Sequence, residues 1–364
     1  MRRALSLARR GWGQTAPNPM VGAVIVRDGA VVGEGHHARY GEAHAEVAAL
    51  AAAGDLARGA TVYVSLEPCA HHGHTPPCAD ALIAAGVARV VVATRDPNPA
   101  AAGGSARLRA AGVDVVEGVE EDDARELNAP FFHAFAARRP WVTLKLALSL
   151  DGAIADASGG SRWITGPRAR AAAHALRAGS DAVGVGLGTV IADDPSLTVR
   201  DAAASRVPPM RVVFDRRARI PLDAVLVRTA RDVPTVVVAE SPDAASARAL
   251  EAAGVAVVCA PSLEAGLEAL AGRGVRALLV EGGARLAGAL LGHALADRLI
   301  IFRAPVLLGA GALGAFAFAP STPLSHAARL RVIERRTLGD DTMAVYAVRE
   351  LAPVPAAERQ PAGQ

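Results

Sequence analysis

The sequence is poor in the residues on which several classes of protein depend. Only 4% of the 364 residues are aromatic, and the charges of 39 basic and 36 acidic residues nearly cancel. A protein that binds single-stranded nucleic acid combines a basic channel with aromatic side chains on which bases stack. The scattered charge and the few aromatic residues therefore argue against a nucleic-acid partner.

Long apolar runs and a disulfide framework are absent as well. Charged residues, glycine or proline interrupt every hydrophobic stretch before it is long enough to cross a bilayer. The apolar stretch over residues 4–8 resembles the start of a signal peptide, but Arg9 and Arg10 end this stretch after a few residues. This pattern favours a short amphipathic helix. The three cysteines cannot all pair, and Cys69 and Cys78 lie in a histidine-rich segment that suggests a metal. We therefore expect no membrane span and a location in the reducing cytoplasm.

Lysine is almost missing. Of the 39 basic residues 38 are arginine, and the exception is Lys145. A compact ammonium can shift its pKa or lie close to a sugar hydroxyl in ways that a guanidinium cannot. Lys145 is therefore a candidate for substrate binding. The alternative is that this lysine occurs in a strand by chance and has no functional role.

The order of predicted elements indicates two α/β domains. Valine-rich runs on both sides of Asp28-Gly29 predict a β-hairpin, and helices and strands then alternate as in an α/β/α sandwich. A charged helix is expected over residues 120–139, and we place the boundary after it. Residues 1–139 then form the first domain and residues 140–351 the second, whereas residues 352–364, rich in proline and alanine, are predicted to be a disordered tail.

The periodicity of apolar residues predicts the individual elements. In the first half we expect helices over residues 44–53, 77–85 and 105–111 and strands over residues 60–66, 87–93 and 113–116. In the second half we expect strands over residues 141–148, 182–186, 210–214, 235–239, 255–259, 277–281 and 299–304. Helices are expected there over residues 167–178 and 286–291, among others.

One histidine and two cysteines have the pattern of a catalytic zinc site. His44-Ala45-Glu46 opens a predicted helix, and Cys69 and Cys78 each follow a proline beside the start of a helix. Three nitrogen and sulfur ligands leave the fourth position of a tetrahedral zinc open for a water molecule, whose proton Glu46 can carry. Zinc deaminases of nucleobases show H-x-E followed by P-C-x-x-C, although here eight residues rather than two separate the cysteines.

A closed, structural zinc site is the alternative. Such a site, or an incidental cluster of histidine and cysteine, would use His71, His72 or His74 as a fourth ligand, but isolated clusters rarely combine H-x-E with P-C at helix starts. Four further histidines lie outside this arrangement and are expected at the surface or in packing: His133, His174, His293 and His326.

Several motifs together closely resemble one family. The first half contains Pro17-Asn18-Pro19, Gly41-Glu42-Ala43-His44-Ala45-Glu46, and Glu67-Pro68-Cys69 followed by a His-His-Gly-His-Thr-Pro-Pro-Cys loop. The second half contains Lys145-Leu146-Ala147-Leu148-Ser149-Leu150-Asp151-Gly152, Ser161-Arg162-Trp163-Ile164-Thr165, Ala192-Asp193-Asp194-Pro195-Ser196-Leu197-Thr198-Val199-Arg200 and Val280-Glu281-Gly282-Gly283. Over nearly its whole length the chain resembles the bifunctional deaminase-reductases of riboflavin biosynthesis.

This resemblance implies a cytidine-deaminase-like α/β/α sandwich followed by a dihydrofolate-reductase-like α/β domain. It also implies the hydrolytic deamination of 2,5-diamino-6-ribosylamino-4(3H)-pyrimidinone 5′-phosphate, and then an NADPH-dependent reduction of the ribosyl group to ribityl. In the first half it makes His44, Cys69 and Cys78 the zinc ligands, Glu46 the catalytic acid and base, and Asn18 a contact to the pyrimidine nucleotide. The partners expected are small molecules, and a homo-oligomer is compatible with the resemblance.

In the second half the resemblance assigns contacts to the cofactor and to the substrate. The NADPH contacts are Ala147, Trp163, Thr189, Asp193, Gly283, Ala284, Arg285, Leu286, Ala287, Gly288 and Ala289. The substrate contacts are Ser161, Arg177, Leu197, Arg200 and Glu281, to which we add Lys145.

The chemistry of several of these residues suits the assignment. Glycines before a helix let a backbone approach a pyrophosphate, although Gly282-Gly283 alone is equally typical of a tight turn. Guanidinium groups such as Arg177 and Arg200 grip a phosphate well. The sequence departs from the family where Arg216 replaces a small serine near the cofactor. We predict that Arg216 pairs with the 2′-phosphate of NADPH.

Three other interpretations remain open at this point. A deaminase of bases in nucleic acid shares the zinc pattern but needs a basic, aromatic-lined channel. A zinc-stabilised binding or scaffold protein would unfold without metal but catalyse nothing. In the third interpretation the chain is a zinc deaminase of a different nucleobase or nucleotide, and its reductase half is inactive or divergent.

Overall fold

The structure is a computed structural model and describes residues 1–71, 76–327 and 329–351. The chain divides into two compact units, Met1–Ala136 and Ala137–Glu350. The boundary at 139/140 stays a prediction. Residues 352–364, His72 and His74 lie outside the described residues. No helix in the described ranges combines the length and the hydropathy needed to span a membrane.

The first unit is built on a five-stranded sheet. Its strands are β1 (Gly22–Arg27), β2 (Ala30–His36), β3 (Thr61–Val64), β4 (Arg89–Val92) and β5 (Asp114–Glu117), in the order β2-β1-β3-β4-β5. Its helices are α1 (Arg2–Ala8), α2 (Ala45–Ala53), α3 (Cys78–Ala85), α4 (Gly104–Ala110), α5 (Glu121–Leu127) and α6 (Ala129–Ala136). Strand β1 runs antiparallel to β2 and β3, whereas β3, β4 and β5 are parallel.

The hairpin predicted on Asp28-Gly29 is confirmed. Asp28 and Gly29 both have positive φ angles, of 50° and 78°, as the tight turns that suit the twist of a hairpin require. The predicted helices and strands up to β5 are also present within a few residues of their expected bounds. A core of alanine, valine and leucine side chains lies between the sheet and helices α2, α3 and α4.

The helix predicted over residues 120–139 is wrong as one element. The chain forms two helices, α5 and α6, which are separated at Asn128, and α6 ends at Ala136. Asn128 leaves the helical conformation, with φ −112° and ψ 27°. Its side-chain amide is bonded instead to the backbone N–H and carbonyl of Met20, at 2.8 and 2.9 Å. This contact to a distant loop replaces a continuous helix.

The second unit contains a nine-stranded sheet. Its strands in chain order are β6 (Trp141–Leu148), β7 (Ala153–Ala155), β8 (Ala182–Gly186), β9 (Met210–Phe214), β10 (Thr235–Ala239), β11 (Ala256–Cys259), β12 (Ala277–Glu281), β13 (Arg298–Arg303), β14 (Leu313–Gly314), β15 (Arg331–Leu338) and β16 (Asp341–Ala347). The large sheet has the order β11-β10-β9-β8-β12-β6-β13-β16-β15, and β7 pairs with β14 separately. The helices are α7 (Pro167–Ala178), α8 (Leu187–Asp193), α9 (Val225–Arg228), α10 (Ala244–Ala252), α11 (Leu263–Ala271) and α12 (Ala284–Gly292).

All seven strands predicted in this half are confirmed. These seven strands are neighbours in the large sheet, in the order β11-β10-β9-β8-β12-β6-β13, and all run parallel. The carboxyl ends of parallel strands meet at one edge, which is where ligands bind in open α/β sheets. Strands β6 and β12 are neighbours there, and their register sets Lys145 directly beside Glu281. The antiparallel strands β15 and β16 were not predicted.

Candidate active sites

The predicted zinc ligands come together in the first unit. His44 is the residue before α2, and Cys78 is the first residue of α3, so both lie at helix starts as the sequence predicts. The ligand atoms of His44, Cys69 and Cys78 lie within 4.8 Å of one another. His44 Nδ1 is 3.2 Å from the Cys78 sulfur and 3.6 Å from the Cys69 sulfur. One imidazole nitrogen and two sulfurs are the donor set that suits zinc.

The local electrostatics favour a cation at this point. The Cys69 sulfur accepts a hydrogen bond from the backbone N–H of Cys78, at 3.3 Å. The hydrogen bond between the two thiols lowers the pKa of Cys69 to about 4 and raises the pKa of Cys78, so the pair shares one proton. Binding of a metal cation would release that proton. The residues therefore fit zinc by chemistry as well as by distance.

Glu46 is buried in the first turn of α2, beside the three ligands. Burial raises the pKa of its carboxyl to about 7. A carboxyl whose pKa lies near neutral can both accept and donate a proton at physiological pH, which is what a general acid and base must do. The position and the pKa of Glu46 are those that a proton carrier needs, and its role stays a prediction.

A cavity of about 210 Å³ adjoins these residues and holds the predicted contact Asn18. His37 Nδ1 lies 3.1 Å from the carbonyl of Ala43, which can only accept, so Nδ1 carries the proton of the neutral ring. Its Nε2 then accepts from the Asn18 amide nitrogen at 3.3 Å. Because the amide nitrogen of Asn18 is hydrogen-bonded to His37, its carbonyl oxygen is available to a ligand.

The same cavity contains polar residues that sequence reasoning missed. Besides His37 they include Asp96 and Asn98, on the loop that follows β4. Burial raises the pKa of Asp96 to about 6. The buried Glu67 carboxylate accepts the backbone N–H groups of Asp96, Gly103 and Ser105 at 3.1 to 3.2 Å, which holds this loop beside Cys69. The sequence Asp-Pro-Asn-Pro at residues 96–99, which places two polar side chains directly after a predicted strand, could have indicated these residues.

The second unit has a cavity of about 2000 Å³ that gathers most of the residues predicted for the reductase. The predicted substrate contacts that line it are Lys145, Ser161, Arg177, Leu197, Arg200 and Glu281. The predicted cofactor contacts that line it are Ala147, Trp163, Thr189, Asp193, Arg216, Gly283, Ala284, Arg285, Leu286 and Ala289. Its volume accommodates a dinucleotide and a nucleotide together.

Two predicted cofactor residues lie elsewhere. Ala287 is completely buried in the main core of the unit. A Cβ added to Gly288 would meet the backbone carbonyl oxygen of Phe318 at 2.3 Å, so that glycine is needed for packing. Both occupy the face of α12 that points away from the cavity, because a helix turns its successive residues around its axis.

The start of α12 fits a phosphate of the cofactor. The helix has nine residues, its N-cap is Gly283, and no side chain caps its first backbone N–H groups. Gly283 lies close to Thr189, whose hydroxyl would be 3.3 Å from an added Cβ. Unsatisfied N–H groups at a helix N-terminus bind anions, and the glycine permits close approach.

Lys145, Arg177 and Glu281 form one charged cluster. Arg177 donates to both oxygens of Glu281, at 2.5 and 2.9 Å, and also to the carbonyl of Thr198 at 2.8 Å. Burial alone would raise the pKa of Glu281, but Arg177 and Lys145 lower it to about 2. Burial lowers the pKa of Lys145, which Glu281 opposes. Arg177 was predicted to grip a phosphate, but much of its hydrogen-bonding capacity is used by Glu281.

His174 and His293 both line this cavity. His293 is exposed at the surface, as expected, whereas His174 is buried. His174 lies on α7 one turn before Arg177, and this helical spacing was the signal that could have revealed it.

Two sequence families match the chain, one in each half. Residues 1–94 match the cytidine and deoxycytidylate deaminase zinc-binding region, and residues 140–344 match the RibD C-terminal domain. The riboflavin biosynthesis protein RibD of Aquifex aeolicus is 46% identical over 314 residues, which cover 85% of this chain and 87% of the relative. That of Escherichia coli is 44% identical over 368 residues, covering 94% of this chain and 96% of the relative. The chain belongs to the RibD family.

Solved structures agree with this membership. Acinetobacter baumannii RibD is 42% identical, with a TM-score of 0.82 over 95% of this chain and 97% of that one. The diaminohydroxyphosphoribosylaminopyrimidine deaminase/5-amino-6-(5-phosphoribosylamino)uracil reductase of Thermotoga maritima is 35% identical, with the same TM-score and the same two coverages. As a RibD-family enzyme of riboflavin biosynthesis, the chain combines a zinc-binding deaminase half with an NADPH-using reductase half.

Proposed function

We propose that the chain deaminates 2,5-diamino-6-ribosylamino-4(3H)-pyrimidinone 5′-phosphate in its first unit. Its second unit then reduces the ribosyl group of the product and gives 5-amino-6-(5-phosphoribitylamino)uracil. The observation that carries this proposal is the buried Glu46 carboxyl beside His44, Cys69 and Cys78. The two activities in the name of the Thermotoga maritima relative support it.

In the deaminase site, His44, Cys69 and Cys78 hold zinc, which when bound activates water for attack on the aminated ring carbon. Glu46 takes a proton from the attacking water and passes protons to the ring nitrogen and to the departing ammonia. The Asn18 carbonyl oxygen, oriented by His37, accepts a hydrogen bond from the pyrimidine. A cavity of about 210 Å³ suits one small base. Because the charge is nearly balanced and only 4% of the residues are aromatic, we propose a small-molecule substrate and no nucleic-acid partner.

In the reductase site, NADPH when bound would supply the hydride for C1′ of the sugar, and the reduction requires the bond from C1′ to the ring oxygen to break. Lys145 lies beside Glu281 at the end of its strand and donates the proton that this oxygen needs to become a hydroxyl. Glu281 and Arg177 fix each other and frame the sugar. The start of α12 and the residues around Thr189 and Asp193 hold the cofactor. We place both reactions in the cytoplasm, where the three free cysteines stay reduced.

The test is to supply the purified protein with the diaminopyrimidine nucleotide, with and without NADPH, and to follow ammonia release and NADPH oxidation separately. Glu46→Ala should slow ammonia release about 100-fold or more, because a general acid and base contributes roughly 10²–10⁴-fold. With deaminated nucleotide supplied, Lys145→Ala should slow only NADPH oxidation. Asp55→Asn, which alters an exposed carboxylate outside the cavity, is the control.

Two results would contradict the proposal. If Glu46→Ala retained full ammonia release, a different group would carry the proton. If the wild type released ammonia but never oxidised NADPH with the deaminated nucleotide, the reductase half would be inactive on this substrate.

A further inference from the structure

The reductase cavity contains a nearly buried imidazole to which the proposed function assigns no role. His174 is 8% exposed and lies on α7. It lines the cavity together with Arg177 and Arg200. A buried polar ring in such a place either packs against the protein or serves the ligand, and its hydrogen bonds distinguish the two.

One hydrogen bond fixes the state of this ring. The backbone N–H of Arg200 donates to His174 Nδ1 at 3.0 Å. A ring nitrogen that accepts carries no proton, so the neutral ring carries its proton on Nε2. Burial, followed by the positive charges of Arg177 and Arg200, lowers the pKa of His174 and keeps the ring neutral. Nε2–H has no hydrogen-bond acceptor among the residues that the structure describes.

The segment that His174 holds is strained. Leu197 has a φ angle of 52°, in the left-handed region that bulky side chains avoid, and Asp201 has a φ of 53°, which aspartate tolerates better. Such residues persist only when their surroundings hold them. Two contacts from α7 do so here: Arg177 donates to the carbonyl of Thr198, and His174 accepts from the N–H of Arg200.

The charges around His174 indicate what the segment binds. Glu281 accepts two hydrogen bonds from Arg177 and offsets its charge. The guanidinium of Arg200 has no carboxylate partner in the described ranges of the chain, and it lies on the segment whose backbone His174 fixes. Asp201, the next residue, adds a negative charge near His174, but it is not paired with the Arg200 guanidinium. A guanidinium without a carboxylate partner beside a neutral N–H donor suits a phosphate monoester, since the dianion accepts from both.

We propose that His174 is a binding and positioning residue for the phosphate of the nucleotide in the reductase site. Its Nδ1 holds the backbone of Arg200, and its Nε2–H donates to a phosphate oxygen. This inference rests on the proposed function, because it takes the substrate of this cavity to be a nucleotide.

Three variants separate the two contacts. His174→Leu removes both, His174→Asn keeps an acceptor near the position of Nδ1, and His174→Gln keeps a donor near the position of Nε2. A hydrogen bond to a charged group contributes roughly 1.5–3 kcal/mol, or about 10- to 100-fold. We expect His174→Leu to raise the KM for the deaminated nucleotide by about that factor. In His174→Asn and His174→Gln, each of which keeps one contact, the KM should rise less than in His174→Leu. The KM for NADPH should stay within about twofold, as should both constants in the control His326→Leu, which lies outside the cavity.

Inorganic phosphate provides a probe that does not require turnover. Titration calorimetry should show phosphate binding to the wild type and binding weakened about 10-fold or more in His174→Leu, measured at a temperature at which circular dichroism shows the variant to be folded. The inference is overturned if folded His174→Leu binds phosphate and nucleotide as the wild type does, or if its KM for NADPH rises equally. If the wild type binds phosphate but never oxidises NADPH with the nucleotide, the proposed function fails while the phosphate site stands.

Discussion

Arg216 and Glu240 form an exposed ion pair at the rim of the reductase cavity. Their atoms are 2.8 Å apart, and the side chain of Arg216 is 82% exposed. Exposed pairs contribute at most about 1 kcal/mol, so Glu240 would not withhold Arg216 from a phosphate dianion. Arg216 therefore remains suited to the predicted contact with the 2′-phosphate, although it already has a protein partner.

Replacing Arg216 tests cofactor selection. We expect Arg216→Ala to raise the KM for NADPH about 10-fold, because a charge-assisted contact of roughly 1.5 kcal/mol is lost, while the KM for the nucleotide changes less than about twofold. Steady-state kinetics with NADPH and NADH measure this, with Arg248→Ala on the exposed face of α10 as the control. Equal binding of both cofactors by the wild type would contradict the assignment.

Glu281 makes the stability of the second unit depend on pH. Its pKa is about 2 in the folded protein against an ordinary value of 4.5. A depressed pKa means that its contribution to stability is complete above about pH 5 and is lost as the pH falls through 4.5 toward 2. We expect the difference in unfolding free energy between the wild type and Glu281→Gln to shrink by roughly 2 kcal/mol between about pH 6 and pH 3. Urea denaturation at several pH values measures it, and a constant difference would refute it.

At the scale of elements, the sequence predicts what is local. The helix starts at His44 and Cys78 were predictable because proline, cysteine and histidine stand directly before runs of alanine and leucine. Strand β10, with three successive valines, was predictable because both faces of a central parallel strand are buried. The structure brings together the three side chains that the sequence singled out as zinc ligands, two of which lie at such helix starts.

The features that the sequence did not predict depend on pairings between distant parts of the chain. Nothing local indicates that β6 and β12 are neighbours, yet this pairing sets Lys145 beside Glu281. Likewise, the division of α5 from α6 depends on the contact of Asn128 with Met20, which lies 108 residues away. The residues of the reductase cavity were therefore found through family resemblance, whereas the pairing of Arg177 with Glu281 was not foreseen.

Strands β6 and β13 are tied together by a buried ion pair. The carboxylate of Asp297 accepts from both terminal nitrogens of Arg139, at 2.6 and 2.7 Å, and from the backbone N–H of Val142 at 2.8 Å. Their side chains are only 8% and 2% exposed. Removing one partner leaves the other charge buried without compensation, which costs roughly 3–5 kcal/mol.

Asp297→Asn should therefore lower the unfolding free energy of the second unit by about 3 kcal/mol or more. The matched control is Glu350→Gln, which breaks the exposed pair with Arg331 and should change stability by less than about 1 kcal/mol. Urea denaturation of both variants measures the contrast. Equal effects would show that burial does not govern these two pairs.

At the scale of the whole molecule, the two active sites draw on separate units. The zinc ligands and the residues of the smaller cavity belong to Met1–Ala136, whereas the residues that line the larger cavity belong to Ala137–Glu350. Each unit also has its own buried apolar cluster. Among the described residues, each cavity is lined by side chains of one unit.

Removal of zinc should consequently abolish one activity and spare the other. Ammonia release should stop after treatment with a chelator and return when zinc is added, because water at neutral pH is a poor nucleophile without the metal. NADPH oxidation with supplied deaminated nucleotide should stay within about twofold, since metal binding stabilises only the unit that contains the ligands. If both activities were lost together, the folding of the second unit would depend on the first. The expectation that the two units work separately would then be wrong.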